Sequence, residues 1–243
     1  MSPELTRPVI IVAHGQPSDT APAAADLGRL ATRVGDLLPG RWVGSATLAE
    51  PEALSAAVAQ AGPGGVVFPM FMAGGWFTRV HLPAKLRAAG GGDWQVLEPF
   101  GCNPDLHDLA VQVTAQALNA QRNGEVLVAA HGSFKTPVPS DIANHLAAKI
   151  KSALGLVRCE AAFIDQSPQL SQVQGFAPHA ICLPFFASNG GHVTEDIPAA
   201  LSKAGFIGRI LPPLGLHPSV PALVAQAITA GQPVCAMECR YKA

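Results

Sequence analysis

An internal repeat restricts this chain more than any other feature. The apolar run Ile10 to Gly15, ending in a histidine and a glycine, returns as Val126 to Gly132, with His131 lying 117 residues after His14. Phe68 to Gly75 returns as Leu183 to Gly190 at an offset of 115, and Pro99 to Pro104 returns as Pro213 to Pro218 at 114. Three landmarks in one order, with so little drift, go beyond what shared composition produces and define a duplicated unit of about 120 residues. The 243 residues therefore divide into 1–122 and 123–243, each long enough to bury a core of its own.

Each repeat reads as alternating strands and helices. Pro8 to Ala13 and Val126 to Ala130 are continuously apolar, the pattern of strands covered on both faces and hence of a parallel sheet. Between them lie an Ala/Leu-rich helix over Pro22 to Leu38, a strand over Trp42 to Leu48, and a helix ending at Ala61. A strand over Val66 to Met72 follows, then a helix from Gly75 to about Ala89, a strand over Gln95 to Pro99, and a helix over Asp105 to Ala120 closed by the turn Gln121 to Gly124. The expected fold is α/β, with two duplicated α/β/α sandwich halves. Each half has a mostly parallel four-stranded sheet, and the halves face one another across a cleft. Right-handed crossovers gather the strand-end loops on one edge, where ligands of such sheets bind. His14, Met70 to Gly75, His131 and Phe185 to His192 all fall at those ends.

Composition excludes several classes of function. The chain is 49% hydrophobic and 14% charged with a net charge of -1, which gives no polyelectrolyte character for nucleic acid. The longest apolar runs are strand-length, short of the roughly 20 residues of a membrane span. Met1 to Pro8 carries no export pattern, so a cytoplasmic protein with reduced thiols is expected. Cys235 and Cys239 are spaced more loosely than C-x-x-C, and an iron-sulfur or zinc site needs four placed ligands, so packing is the reading for them. Neither a G-x-S-x-G turn nor a P-loop occurs, which argues against a hydrolase elbow and a nucleotide.

The stretch Leu183 to Pro198 concentrates the chemistry. If it turns helical after Gly191, then His192, Glu195 and Asp196 share a face at i, i+3 and i+4. Two readings stand on these residues: a cation site, or an ordinary helix start with acids at its positive end. Neutral imidazole suits cobalt, iron and nickel alike and serves as a base near neutrality. His107, His145 and His179 read as surface or packing positions, and His217 follows a strand-end turn.

The combination of Ala130 to Ser133, Pro184 to Phe186, Gly190 to Pro198 and Pro212 to Pro218 resembles the class II tetrapyrrole chelatases, within them the sirohydrochlorin chelatases of the CbiX and SirB type. The resemblance spans nearly the whole chain, once per half. It implies ATP-independent insertion of Co2+ or Fe2+ into sirohydrochlorin or a related tetrapyrrole, in cobalamin or siroheme synthesis. The alternative is a non-catalytic tetrapyrrole or metal carrier. The family's metal-binding histidines match His131 and His192, which would also take the pyrrole protons. In the first half only His14 matches, because Phe77 stands opposite His192 and His81 opposite Asp196. The divalent metal is then a substrate, with no nucleotide and no cluster. Since the duplication supplies both halves, a monomer is expected.

Glu195 is expected to orient His192 or relay protons. The macrocycle requires an apolar slot, for which Met70, Phe71, Met72, Trp76, Phe185 and Phe186 are candidates, with His14 beside them. Alternate strand residues point into opposite layers, so half of that set belongs to the core. Ser133, Lys135, Arg79 and the amides of Gly190 and Gly191 are candidates for the rim carboxylates.

Overall fold

The structure, a computed structural model, describes residues 6–119, 124–235 and 239–241. The turn expected at Gln121 and the division at 122/123 fall outside the described residues.

The first sheet comprises β1 (Val9–Ala13), β2 (Val43–Thr47), β3 (Val66–Pro69) and β4 (Gln95–Val96) in the order β2-β1-β3-β4. The second comprises β5 (Glu125–Ala130), β6 (Arg158–Phe163), β7 (Ile181–Pro184) and β8 (Arg209–Ile210) in the equivalent order β6-β5-β7-β8. All pairings are parallel, and the registers correspond: Ala13 faces Thr47 as Ala130 faces Phe163, and Val12 faces Pro69 as Ala129 faces Pro184. In β1 the residues Val9 to Val12 are all fully buried, as strands with helices on both faces must be. On one face Ile10, Val12 and Val67 pack with Leu54, Val58, Leu82 and Leu86. The equivalent face of the second sheet packs Leu127, Ala129 and Cys182 with Leu170, Ile197 and Leu201.

The helices are α1 (Thr20–Asp36), α2 (Ala53–Ala61), α3 (Leu82–Ala88), α4 (Pro104–Leu118), α5 (Val138–Leu154), α6 (Ile197–Lys203) and α7 (Val220–Ala230). Compact units do not follow the sequence repeat. One unit is Met1–Asn103 with Pro218–Glu238, and the other is Pro104–His217 with Cys239–Ala243. Thus α7, which ends the second repeat, packs on α1, and α4, which ends the first, packs on α5 and β7. Among the described residues, no helix is long and apolar enough to cross a membrane.

Several elements are shorter than the apolar pattern suggests. β3 stops at Pro69 and β4 at Val96, after which Leu97 makes an antiparallel bridge to Pro233. The single helix expected from Gly75 to Ala89 is divided into a π turn, Phe77–His81, and α3. The same division occurs in the second unit, where the π turn His192–Asp196 precedes α6. Pro83 and Pro198 explain both. A proline lacks the N–H for an i to i-4 bond and its ring clashes with that carbonyl, so the turn before it widens. Leu82 N–H donates to Phe77 O, and Ile197 N–H to His192 O, both across five residues.

Candidate active site

The second unit places His131 at the carboxyl end of β5 and His192 at the start of the π turn that follows β7. Their ring centroids are 4.6 Å apart with the planes at 90°, and both side chains are half-exposed, at 46% and 47%. Each imidazole has an acceptor at Nδ1. His192 Nδ1 lies 2.6 Å from Asp196 Oδ2. His131 Nδ1 lies 3.1 Å from Gly132 O and 3.7 Å from Asp165 Oδ2. An acceptor at Nδ1 holds the proton there and leaves Nε2 as the lone-pair nitrogen, the atom that binds a metal or takes a proton.

Local backbone chemistry explains this placement. Gly132 has φ 74°, and a Cβ there would stand 2.8 Å from Gln166 Cβ and 2.9 Å from Phe163 Cβ, so the turn after His131 requires glycine. The π turn is anchored at its start by Val193 N–H and Thr194 N–H, both donating to Gly190 O. A turn closed across five residues keeps positions four apart close together and swings positions three apart away from one another. The carboxylate that reaches His192 is therefore Asp196, whereas Glu195, expected to orient the ring, stands exposed one residue earlier.

Burial sorts the residues expected to line the slot. Met70 (6% exposed), Phe185 (2%) and Phe186 (9%) belong to the core, while Phe71 and Met72 are half-buried and Trp76 is exposed. The aromatic pair splits as strand alternation requires. Phe185 packs toward His107, with ring centroids 6.2 Å apart, and Phe186 lies 6.3 Å from His192 on the opposite layer. Phe186 thus packs beside the His192 ring rather than offering a free face. Ser133 is half-buried, and its Oγ accepts from Lys135 N–H at 3.1 Å. Gly190 and Gly191 have nothing within 4 Å of their Cβ positions, so the approach to this turn is open.

The first unit keeps the scaffold and changes the chemistry. His14 bonds to Gly15 O through Nδ1 at 3.2 Å, as His131 does to Gly132 O. Phe77 occupies the position of His192, with its ring 5.1 Å from that of His14. His81 replaces Asp196 and lies 5.3 Å from Phe77 while stacking on Trp76 at 4.9 Å. Ala49, whose N–H bonds to His14 O as that of Asp165 does to His131 O, removes the second acid. The outcome is an aromatic cluster with one conserved imidazole.

Asp165 and Gln166 were not legible as site residues. They lie two and three positions past β6, a strand that the repeat landmarks do not include. The available signal was an acid at a strand's carboxyl end where the other repeat has alanine.

Over 92% of its length this chain is 44% identical to CbiX, described as the terminal enzyme for biosynthesis of siroheme in denitrifying bacteria; it covers 99% of that structure with a TM-score of 0.85. The chain belongs to the CbiX/SirB-like class II chelatases. The CbiX family model matches residues 125–230, the part that carries the histidine pair. A probable sirohydrochlorin cobaltochelatase of Halobacterium salinarum is 24% identical over 160 residues, 54% of this chain. The chain spans about half the length of that curated relative, 55% of it. SirB from Bacillus subtilis subspecies spizizenii, solved in complex with cobalt, shares the fold at 16% identity and a TM-score of 0.68 over 93% of this chain and 95% of its own. Among the described residues, no group of three or more His, Cys, Asp and Glu side chains is placed to hold a metal ion.

Proposed function

We propose that this chelatase inserts a divalent ion, Co2+ or Fe2+, into sirohydrochlorin without nucleotide hydrolysis, and that the second unit performs the chemistry. The observation that carries this is the His131–His192 pair, with each Nδ1 held by an acceptor and each Nε2 left to act. Insertion must strip water from the ion, deliver it to four ring nitrogens and remove two N–H protons. Two imidazoles with open coordination positions hold the ion weakly enough to release it, which a closed four-ligand site does not allow. As each nitrogen gives up the ion, its lone pair becomes available for one pyrrole proton. Asp196 and Asp165 orient the two rings from their Nδ1 sides, and partial exposure of both rings lets the protons pass to water.

Support also comes from the 44% identity to CbiX. In the first unit Phe77 stands between His14 and His81, so that unit lacks the imidazole pair that holds the ion. The decisive experiment is single-turnover absorption spectroscopy of sirohydrochlorin with Co2+ or Fe2+. Insertion much faster than in buffer supports the enzyme; bound macrocycle with buffer-like insertion leaves a carrier.

Two substitutions probe the roles. Asp196→Asn keeps the shape and loses the charge beside His192, and should slow insertion about 10- to 100-fold, as loss of a ligand's carboxylate partner commonly does. In a His131→Ala, His192→Ala background, adding Phe77→His places an imidazole beside His14. Co2+ binding followed by visible absorption should then tighten roughly tenfold over the double variant, and an unchanged titration would show that more than Phe77 separates the two units.

A further inference from the structure

We propose that Phe134 is the side chain on which a face of the tetrapyrrole rests, and that Gln166 positions it. The inference deepens the chelatase reading above and rests on it. A lone apolar side chain on a surface is ordinary, but this one differs in its place and its support. Phe134 is 81% exposed, the most exposed large apolar side chain among the described residues. It follows His131 by three residues, on the loop that leaves the active site.

That loop is fixed. Ser133 N–H donates to Gln166 Oε1 at 3.0 Å, and Gln166 Nε2 donates to Ser140 Oγ at 2.9 Å. Ser140 in turn donates to Pro137 O at 2.7 Å, and Lys135 N–H donates to Ser133 Oγ at 3.1 Å. One amide therefore ties both ends of the segment that displays Phe134. The same Gln166 packs under Gly132, where no Cβ has room.

A flat conjugated ligand gains most from an aromatic surface that is already ordered, because the cost of immobilising it has been met in folding. The backbone that carries Phe134 is held in this way at Ser133 and Lys135, and the exposed Lys135 beside it supplies a cation for a rim carboxylate. The first unit lacks every part of the arrangement. Its equivalent positions hold Gln16, Pro17 and Glu50, and the Gln16 amide turns instead to Ser18 Oγ at 3.2 Å. The loop accompanies the histidine pair, not the shared scaffold.

The test is a titration of metal-free sirohydrochlorin, read by its own absorption, into the full chain and its Phe134→Ala, Phe134→Trp and Gln166→Ala variants. Because Phe134 is exposed, its replacement leaves the fold intact. Phe134→Ala should weaken binding about tenfold, as loss of a stacking aromatic does. KM for the macrocycle should rise by the same factor, and Phe134→Trp should restore both. Gln166→Ala, which keeps the aromatic ring and frees its loop, should raise KM by an intermediate factor. Co2+ binding without macrocycle should match the parent in Phe134→Ala. Parent-like affinity for sirohydrochlorin in Phe134→Ala, or an equal loss of Co2+ binding, overturns the proposal while leaving the chelatase reading intact. Failure of the parent chain to bind sirohydrochlorin overturns both.

Discussion

His192→Ala is expected to lower the single-turnover rate of metal insertion by about 10²- to 10⁴-fold, the span associated with loss of a positioned acid-base group. His131→Ala should fall in the same range, and the double variant little further, because two groups that act on one ion form a unit. With centroids 4.6 Å apart, the rings can share one ion, and removing either leaves a single donor that neither orients the ion nor accepts the second proton. Both side chains are half-exposed, so alanine at either position should leave stability nearly unchanged, and the unfolding midpoint serves as the control. Affinity for metal-free sirohydrochlorin should survive in both. If either variant inserts metal at the parent rate, that residue has no part in the chemistry.

The second large effect comes from glycine. A Cβ on Gly215 would stand 2.0 Å from the carbonyl oxygen of Ala187, and one on Gly101 would stand 2.1 Å from that of Met72. In each case the glycine N–H donates to the preceding carbonyl, Phe186 O or Phe71 O, at 2.9 Å. These repeat-related glycines hold the chain against the segment leaving β7 or β3, and that contact explains the third sequence landmark. Alanine at either should cost roughly 2–3 kcal/mol, the range for forcing an extra methyl into packed structure, read as a lower denaturant midpoint. The two should differ in function. Gly215→Ala displaces the segment that presents His192 and should slow insertion at temperatures where the protein remains folded. Gly101→Ala disturbs only the first unit's equivalent and should leave Co2+ binding by His131 and His192 near the parent value. Equal losses of Co2+ binding in both would show that the effect is global.

Much of this architecture was legible because duplication leaves a strong signal. Continuous apolar runs ending in His-Gly placed β1 and β5 and set both histidines at the carboxyl ends of those strands, and the mostly parallel sheets expected from such runs are parallel in every strand pairing described. What remained illegible depends on register and on turns. Asp196 contacts His192 at a spacing that an α-helix also allows, whereas Glu195, which α-helical spacing alone ranked equally, is swung away where Pro198 widens the preceding turn. Asp165 and Gln166 act across from His131 only because β6 pairs beside β5, a relation between strands distant in sequence. Likewise the passage of α4 and α7 into the opposite units depends on packing that a linear repeat does not encode. Phe185 and Phe186 show the remaining difficulty: adjacent aromatic residues point into different layers, and both are buried, so their exposure could not be read from composition.

On its way into the macrocycle one ion is expected to be held by both imidazoles of the second unit. A crystal structure of the chain soaked in Co2+ measures this directly. The expected result is a single well-occupied ion bonded to Nε2 of His131 and Nε2 of His192, with its remaining positions filled by water. An ion bound in the first unit at His14 and His81, or at the cysteines, with none between His131 and His192, would contradict it.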